Sequence, residues 1–331
     1  MKNKMLIYGA AGYTGKLIAA RAKELQLDFE IAGREQDKIQ ALATTLAVPF
    51  HVFTVADKAA WKKALADKMV LINAAGPFKY TAAEAMNACL QSGVHYLDIS
   101  AEPETYQLAE TLDTKAIAAN IQLISGAGLF VSYDALAVYV AGKVKNPKKL
   151  SVGFRHFGGF SRGSVISSKN IADLGILVRK NNEIITNPNA KPKVFRFADY
   201  EETCLPTPLG GIILSYRSTK IPDIEEYFSL KLPAAELPDL APEHLPDGPS
   251  AEERAAGRNG LSAEVVGENG EIFRAAVDTP SGYTLTPLSV IAVANRILHN
   301  GFKPGYQSPA SAYGVSILND IPDTHLIDIT A

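Results

Sequence analysis

Residues 6–22 read LIYGAAGYTGKLIAARA, and this stretch decides the fold. An apolar strand at residues 4–8 runs into Gly9, Gly12 and Gly15, and a helical pattern follows from Tyr13 to Leu25. In that helix Leu17, Ile18, Leu25 and the stem of Arg21 share one face. A strand ending where a helix begins gathers unpaired N–H groups and a positive helix end at one point, the arrangement that binds a diphosphate. Gly9 permits the sharp turn, Gly12 lets backbone approach a ligand, and Gly15 lets helix and strand pack closely. Ala11, Tyr13 and Thr14 complete the loop. A merely structural turn is the competing reading, but the position after the first strand of a strand–helix series favours dinucleotide binding.

The series continues outward from this loop. Strands are predicted at DFEIAGR, PFHVFTVAD, MVLINAAGPF, VHYLDIS and IQLISGAG, alternating with helices at 36–46, 58–66, 81–91 and 103–119. Ile39, Leu42, Ala43 and Leu46 face inward from the second helix. Alternation of this kind predicts an α/β fold, a Rossmann-type doubly wound parallel sheet. Beyond residue 150 the rhythm changes. KKLSVGFRHFGG and PKVFRFADY read as strands of an antiparallel or mixed sheet, and residues 164–180 as a helix. The proline-rich stretch 232–250 reads as a surface loop. Ser250 and Glu253 form a capping box before a short helix. A hairpin turns at Glu268–Asn269–Gly270. Residues 286–299 form an apolar helix with Pro287 in its first turn.

Gly33 and Arg34 end the second strand, where an NAD site usually shows a carboxylate. An arginine there pairs with a 2′-phosphate instead, so NADP(H) is the expected cofactor, with Glu35 as the objection. Ala74, Ala75, Gly76 and Pro77 leave the end of the fourth strand open, and Ala75, Gly76 and Pro77 are expected to border the cofactor. Asp57 caps the next helix or reaches the adenine.

The chain of 331 residues carries a formal charge of −2, with 47% apolar and 21% charged residues. It is long enough for two domains, and its near-neutral charge gives no reason to expect a nucleic-acid partner. No apolar run is long enough to span a bilayer. Cys89 and Cys204 fit no metal spacing, and Cys89 reads as a packed thiol. A strand within five residues of the start leaves no room for a cleavable signal, and a cytoplasmic protein is expected.

With GAAGYTGKL, AGR and NAAGPF in order, the chain resembles the saccharopine dehydrogenase-like oxidoreductases. GVHYLDISAE, with Asp98 and Glu102, looks like the fifth-strand segment of that family. FSRGSVISS, YRSTKIPDIEEY, GPSAEERAAG and GYTLTPLSVIAVANRIL look like a subgroup described as trans-acting enoyl reductase-like. The resemblance implies an NADP-binding Rossmann domain at 1–130 plus about 283–331, and a substrate or dimerisation α+β domain at 131–282. It departs at GLFVSYD: Phe130 stands where relatives carry an aspartate, and Asp134 is the one match to a second.

Candidate catalytic residues are Tyr80 and Asp134 as proton donors, with packing the competing use of Tyr80 and helix capping that of Asp134, and Arg162, beside Gly163 and Ser164, as a holder of a carboxylate or phosphate. Arg155, His156 and Arg162 are expected where the second domain faces the cleft, and His156 reads as a satisfied core or edge histidine. Asn73, Ser125, Tyr139 and Lys143 match the intervals of a short-chain dehydrogenase, in which the tyrosine donates the proton. The expected activity is NADP(H)-dependent reduction of a C=C or C=N bond in a small-molecule or acyl substrate. The alternatives are a short-chain-type carbonyl reductase and a non-catalytic NADP(H) sensor. A homodimer is possible through the second-domain sheet, and no metal is expected.

Overall fold

The structure is a computed structural model that describes residues 3–231 and 246–329. The chain divides into two compact units. One comprises the residues up to Gly128 together with Thr286–Gln307; the other comprises Leu129–Leu285 and the residues from Ser308 on.

The first unit alternates β1 (Lys4–Tyr8), α1 (Tyr13–Glu24), β2 (Phe29–Gly33), α2 (Gln36–Leu46), β3 (Phe50–Val52), α3 (Lys58–Ala64) and β4 (Lys68–Asn73). It continues through α4 (Ala82–Ser92), β5 (His95–Asp98), α5 (Pro103–Thr111), α6 (Asp113–Ala118) and β6 (Gln122–Ile124). The sheet is parallel, in the order β6-β5-β4-β1-β2-β3, and Gly305–Tyr306 adds a strand beside β6. The order reverses between β1 and β4, which opens a crevice at the carboxyl ends of those strands. Met5, Leu6, Ile7, Val70, Leu71 and Ile72 are fully buried, as strands covered on both faces require.

Several expected boundaries shift. The buried face of α1 is Gly15, Ile18, Ala19 and Ala22, at i, i+3, i+4 and i+7; Leu25 lies beyond the helix and is exposed. On α2, Ile39 and Ala43 are buried, while Leu42 and Leu46 are half-buried. The third strand is only three residues long because it is an edge, and Asp57 caps α3 by accepting the Ala60 N–H at 2.9 Å. The expected helix 103–119 breaks at Leu112. Just beyond, Asp113 accepts the Tyr306 N–H at 2.7 Å and anchors the added strand.

The second unit begins with α7 (Phe130–Ala141), β7 (Pro147–Phe157), α8 (Arg162–Ala172), β8 (Leu177–Lys180), β9 (Glu183–Thr186), β10 (Lys193–Arg196) and β11 (Glu201–Pro206). Next come α9 (Gly211–Thr219), β12 (Asp223–Lys231), α10 (Ala251–Ala256), β13 (Arg258–Gly267) and β14 (Ile272–Pro280), and then α11 (Gly282–Leu298), which from Thr286 on belongs to the first unit. The strands form a mixed sheet in which β12 and β7 are parallel and the other pairs antiparallel. Its last strand, His325–Asp328, pairs with β14. The chain from Ser308 on therefore lies with the second unit, not with the nucleotide unit as the resemblance implied.

The helix expected at 164–180 stops at Ala172. Gly175 has a φ of +69°, a conformation that terminates helices, and residues 177–180 pair as a strand with β9. The capping box of Ser250 and Glu253 is present, and the hairpin turns between Gly267 and Ile272. Helix α11 starts four residues earlier than expected, which puts Pro287 inside it, beyond the first turn. Of the proline-rich stretch, residues 232–245 lie outside the described residues.

Candidate functional site

The glycine loop is built by exclusion. Gly9 has a φ of +80°, and a Cβ there would lie 2.7 Å from the Ala75 nitrogen and 2.8 Å from the Ala74 carbonyl carbon. A Cβ on Gly15 would lie 2.3 Å from the Gly9 oxygen and 2.8 Å from the Ala10 Cα. At Gly12 the nearest atom to such a Cβ is the Gly9 oxygen, at 3.3 Å, and the residue is exposed. The N–H groups of Gly9 and Ala10 both donate to the Ala32 carbonyl, fixing the loop to β2. Gly12 is the N-cap of α1, no side chain caps the helix, and no acidic residue stands in its first turn. Helix start, closed glycine positions and a missing protein anion fit a diphosphate in shape and sign.

Gly33 closes β2, and Arg34 follows it, exposed and without an ion pair among the described residues. Glu35 is the N-cap residue of α2. Its carboxylate lies 2.7 Å from Lys38 Nζ, and that contact holds it below the usual carboxylate range.

The loop after β4 is held at three places. Asn73 Nδ2 donates to Tyr96 Oη and Thr81 Oγ1, each at 3.2 Å, while Asn73 Oδ1 accepts the Ala75 N–H at 3.1 Å. Thr81 Oγ1 donates to the Ala75 carbonyl at 2.7 Å. Buried Glu102 accepts the N–H groups of Phe78 at 3.1 Å and Lys79 at 2.9 Å. Between these anchors the Gly76–Pro77 bond is cis.

A second buried carboxylate joins the ends of three strands. Asp98, at the end of β5, accepts from Tyr96 Oη at 2.9 Å, Ser125 Oγ at 2.7 Å, and the N–H groups of Ser100 and Gly126 at 2.9 Å each. Burial pushes it up to about 6, and the four donors pull the other way. Asn73 extends this network to β4. Sequence reasoning named Asp98 and Glu102 through resemblance but missed their work as clamps. No spacing rule links Glu102 to Phe78; the one signal was a pair of carboxylates in an otherwise apolar strand-and-turn segment.

Of the candidate catalytic groups, Tyr80 follows the loop after β4, while Asp134 and Arg162 belong to the second unit. Tyr80 is 67% exposed, and Lys79 Nζ sits 5.0 Å from its ring centroid. Asp134 is completely buried. It accepts from Ser218 Oγ at 2.6 Å and from the Ala310 N–H at 2.7 Å, and so ties α7 to α9 and to the short helix Pro309–Tyr313. These bonds are those of a helix cap, the competing use that the sequence allowed for this aspartate. Arg162 opens α8, half-exposed, with its guanidinium 3.5 Å from Asp247. Arg155 Nε donates to Glu202 at 3.2 Å.

The groups of the short-chain arrangement are engaged in other bonds. Tyr139 Oη donates to Asp328 at 2.7 Å, Lys143 Nζ lies over the Tyr139 and Phe273 rings, and Ser125 is bonded to Asp98. Cys89 is buried, and burial raises its thiol well above the ordinary range. Among the described residues no cluster of His, Cys, Asp or Glu can hold a metal ion, and no helix is long and apolar enough to cross a membrane.

Residues 5–122 match the family model for the saccharopine dehydrogenase NADP binding domain. A human saccharopine dehydrogenase-like oxidoreductase is 23% identical over 161 residues, which cover 42% of this chain and 38% of that protein. A probable mitochondrial saccharopine dehydrogenase-like oxidoreductase of Arabidopsis thaliana is 30% identical over 122 residues, covering 32% and 27%. The chain thus spans well under half the length of these curated relatives. Among solved structures, apo saccharopine dehydrogenase (L-Glu forming) from Saccharomyces cerevisiae superposes with a TM-score of 0.68 at 13% identity, over 99% of this chain and 100% of that one. The fold is that of the dehydrogenases, and the first unit is an NADP(H)-binding domain similar to that of saccharopine dehydrogenase.

Proposed function

We propose that the protein is an NADP(H)-dependent oxidoreductase that reduces a C=C or C=N bond in a small or acyl substrate, in the manner of the trans-acting enoyl reductase-like subgroup. The observation that carries this reading is the start of α1, capped by no side chain, at a loop where backbone closes the Cβ positions of Gly9 and Gly15 and Gly12 is exposed. In this reading N–H groups at the start of α1 hold the diphosphate, apart from that of Gly12, which donates to the Gly9 carbonyl at 3.0 Å. Arg34 pairs with the 2′-phosphate, since Glu35 is already engaged by Lys38.

Ala75, Gly76 and Pro77 border the reactive ring, kept in place by Asn73, Thr81 and Glu102. The cofactor supplies a hydride, and the protein supplies its position. Tyr80 and Arg162 remain candidates for contacts to substrate. The short-chain mechanism is disfavoured by the bonds that occupy Tyr139 and Ser125.

The cytoplasmic location and the homodimer belong to this proposal as well. Exposed Val194 and Leu205 on β10 and β11 give the second-unit sheet an apolar edge for a partner copy.

The test is NADPH oxidation, followed at its absorbance band, against a panel of enoyl thioesters, enoyl amides and cyclic imines. Turnover of one class is expected. Binding of NADPH with no turnover of any class would favour the sensor.

A further inference from the structure

The chain contains three Asn–Gly pairs, at 259–260, 269–270 and 300–301. In such a pair the glycine nitrogen has no Cβ beside it, so it can reach the asparagine side-chain carbonyl carbon and close a five-membered ring. The asparagine carboxamide and the glycine N–H must both be free for this to happen. The fold treats the three pairs differently.

Asn259 lies in the second sheet and is 1% exposed. Its Oδ1 accepts the Phe157 N–H at 3.1 Å, and Gly260 is paired on both sides, with Arg155 of β7 and Asp278 of β14. A Cβ on Gly260 would lie 2.9 Å from Phe197 Cδ1 and from Tyr200 Oη, so the backbone here is enclosed. Asn300 is exposed, but it ends α11 with a φ of +60°. Its N–H donates to the Ile297 carbonyl and the Gly301 N–H to the Arg296 carbonyl, each at 2.8 Å, the two bonds of a Schellman cap. Just beyond, the Phe302 ring lies 4.3 Å from that of buried His95, and the Lys303 N–H donates to buried Gln122 at 2.7 Å. Gly301 is thus held by α11 on one side and by β5 and β6 on the other.

Asn269 stands at the tip of the β13–β14 hairpin. The Gly267 N–H donates to the Glu271 carbonyl at 2.9 Å and closes a three-residue loop in which Gly270 has a φ of +81°. The residues flanking the pair are tethered. The Glu268 N–H donates to the Asn146 carbonyl at 3.1 Å, Asn146 Nδ2 donates to the Glu268 carboxylate at 3.0 Å, and the Lys145 N–H donates to the Glu271 carboxylate. Asn269 itself is exposed, and its carboxamide makes no hydrogen bond among the described residues. The Gly270 N–H bonds the Gly267 carbonyl at 3.1 Å, at an exposed position where no atom would lie within 4 Å of an added Cβ. Bonds at such tips open at little cost.

We propose that Asn269 is a self-modifying site, converted by water to aspartate and isoaspartate, and that folding withholds the same reaction from Asn259 and Asn300. The Gly270 nitrogen attacks Asn269 Cγ, the bond from Cγ to the side-chain nitrogen breaks, and that nitrogen leaves as ammonia with the proton Gly270 gives up. The succinimide then takes up one water. Breaking its bond between Cγ and the Gly270 nitrogen gives aspartate. Breaking the bond from the main-chain carbonyl carbon to that nitrogen gives isoaspartate, with the chain running through Cβ and Cγ. No oxidant or reductant is needed. Either product sets a third carboxylate between Glu268 and Glu271, near Lys148, whose Nζ is 3.7 Å from Glu268. Isoaspartate also lengthens the loop by a methylene, which works against its closure by Gly267 and Glu271.

The test incubates the full chain in mildly alkaline buffer made with heavy-oxygen water, folded in one arm and unfolded in urea in the other. Peptide mass spectrometry follows the three sites, and the heavy oxygen marks conversion that preceded digestion. In the folded chain Asn269 is expected to convert at least tenfold faster than Asn259 or Asn300. Urea should speed those two at least tenfold, but Asn269, already open, by less than about threefold. Asn269→Gln, an exposed change that cannot close the five-membered ring, should remove the acidic variant seen on isoelectric focusing of the incubated folded protein. Conversion of Asn259 or Asn300 as fast as Asn269 in the folded chain overturns the proposal. So does an Asn269 that reacts only in urea, or an acidic variant that persists in Asn269→Gln. No readout involves NADPH, so the outcome leaves the reductase reading untouched.

Discussion

Gly9 and Ala75 meet back to back: the space a Cβ on Gly9 would take lies 2.7 Å from the Ala75 nitrogen. The turn after β1 and the loop after β4 thereby share one wall of the crevice. Substituting Gly9→Ala adds a methyl that backbone cannot avoid and imposes a φ of +80° on an L-residue. We expect it to cost about 2 kcal/mol or more in urea unfolding and to weaken NADPH binding. An unchanged unfolding midpoint would show that the two loops part easily.

Glu102 is expected to act on that same loop from its other side. Glu102→Ala strands the N–H groups of Phe78 and Lys79, each worth roughly 1–3 kcal/mol when buried without a partner. Lys79 is partly solvated, so a total loss near the lower end, about 2 kcal/mol, is expected. Hydrogen exchange at those two amides should accelerate, and NADPH affinity should fall. Glu102→Gln keeps one acceptor and should lose about half as much. Slow exchange retained in Glu102→Ala would contradict the clamp.

The alkaline side of the stability profile should belong to Glu226. This carboxyl is buried on β12, makes no ion pair among the described residues, and is pushed by burial from 4.5 up to about 8. The folded state therefore holds a proton that the unfolded state has released, and stability falls as pH rises from about 4.5 to 8. Asp98 and Asp134, raised to about 6, act in the same direction at lower pH; His95 and His156, lowered to about 4, act in the opposite direction up to about 6.5. Between pH 6.5 and 8 Glu226 remains as the resolved contributor. Thermal unfolding of wild type should weaken across that interval, and Glu226→Gln should flatten the slope. A slope identical in both proteins would place the titration elsewhere.

Tyr139→Phe removes the bond to Asp328 and leaves the ring beneath Lys143. A loss of at most about 1 kcal/mol is expected, with NADPH-dependent turnover unchanged. Turnover that disappears would restore the short-chain mechanism.

How far the sequence spoke depends on whether the signal was local. The glycine loop, the alternation of strands and helices, the Ser250 cap and the 268–271 turn are encoded within a few residues each, and all are present. Where a remote partner decides, sequence reading failed. Asp113 breaks a helix to hold Tyr306, and His325–Asp328 joins the second sheet by pairing with β14. Asp134 carried two readings, proton donor and helix cap, and the partners that engage it as a cap, Ser218 and Ala310, lie 84 and 176 residues away. The clamps Asp98 and Glu102 stood in a quoted motif. Tyr96 and Ser100 of that motif donate to Asp98, but Ser125 and Gly126, and the Phe78 and Lys79 donors of Glu102, come from other loops, which no spacing could show.

The most direct measurement is calorimetric titration of wild type and Arg34→Ala with NADPH and NADH. We expect wild type to bind NADPH at least tenfold more tightly, and Arg34→Ala to bind the two alike, because in the proposal the guanidinium pairs with the 2′-phosphate. Failure of wild type to bind either coenzyme at millimolar concentration, or an affinity ratio unchanged by the substitution, would contradict the assignment.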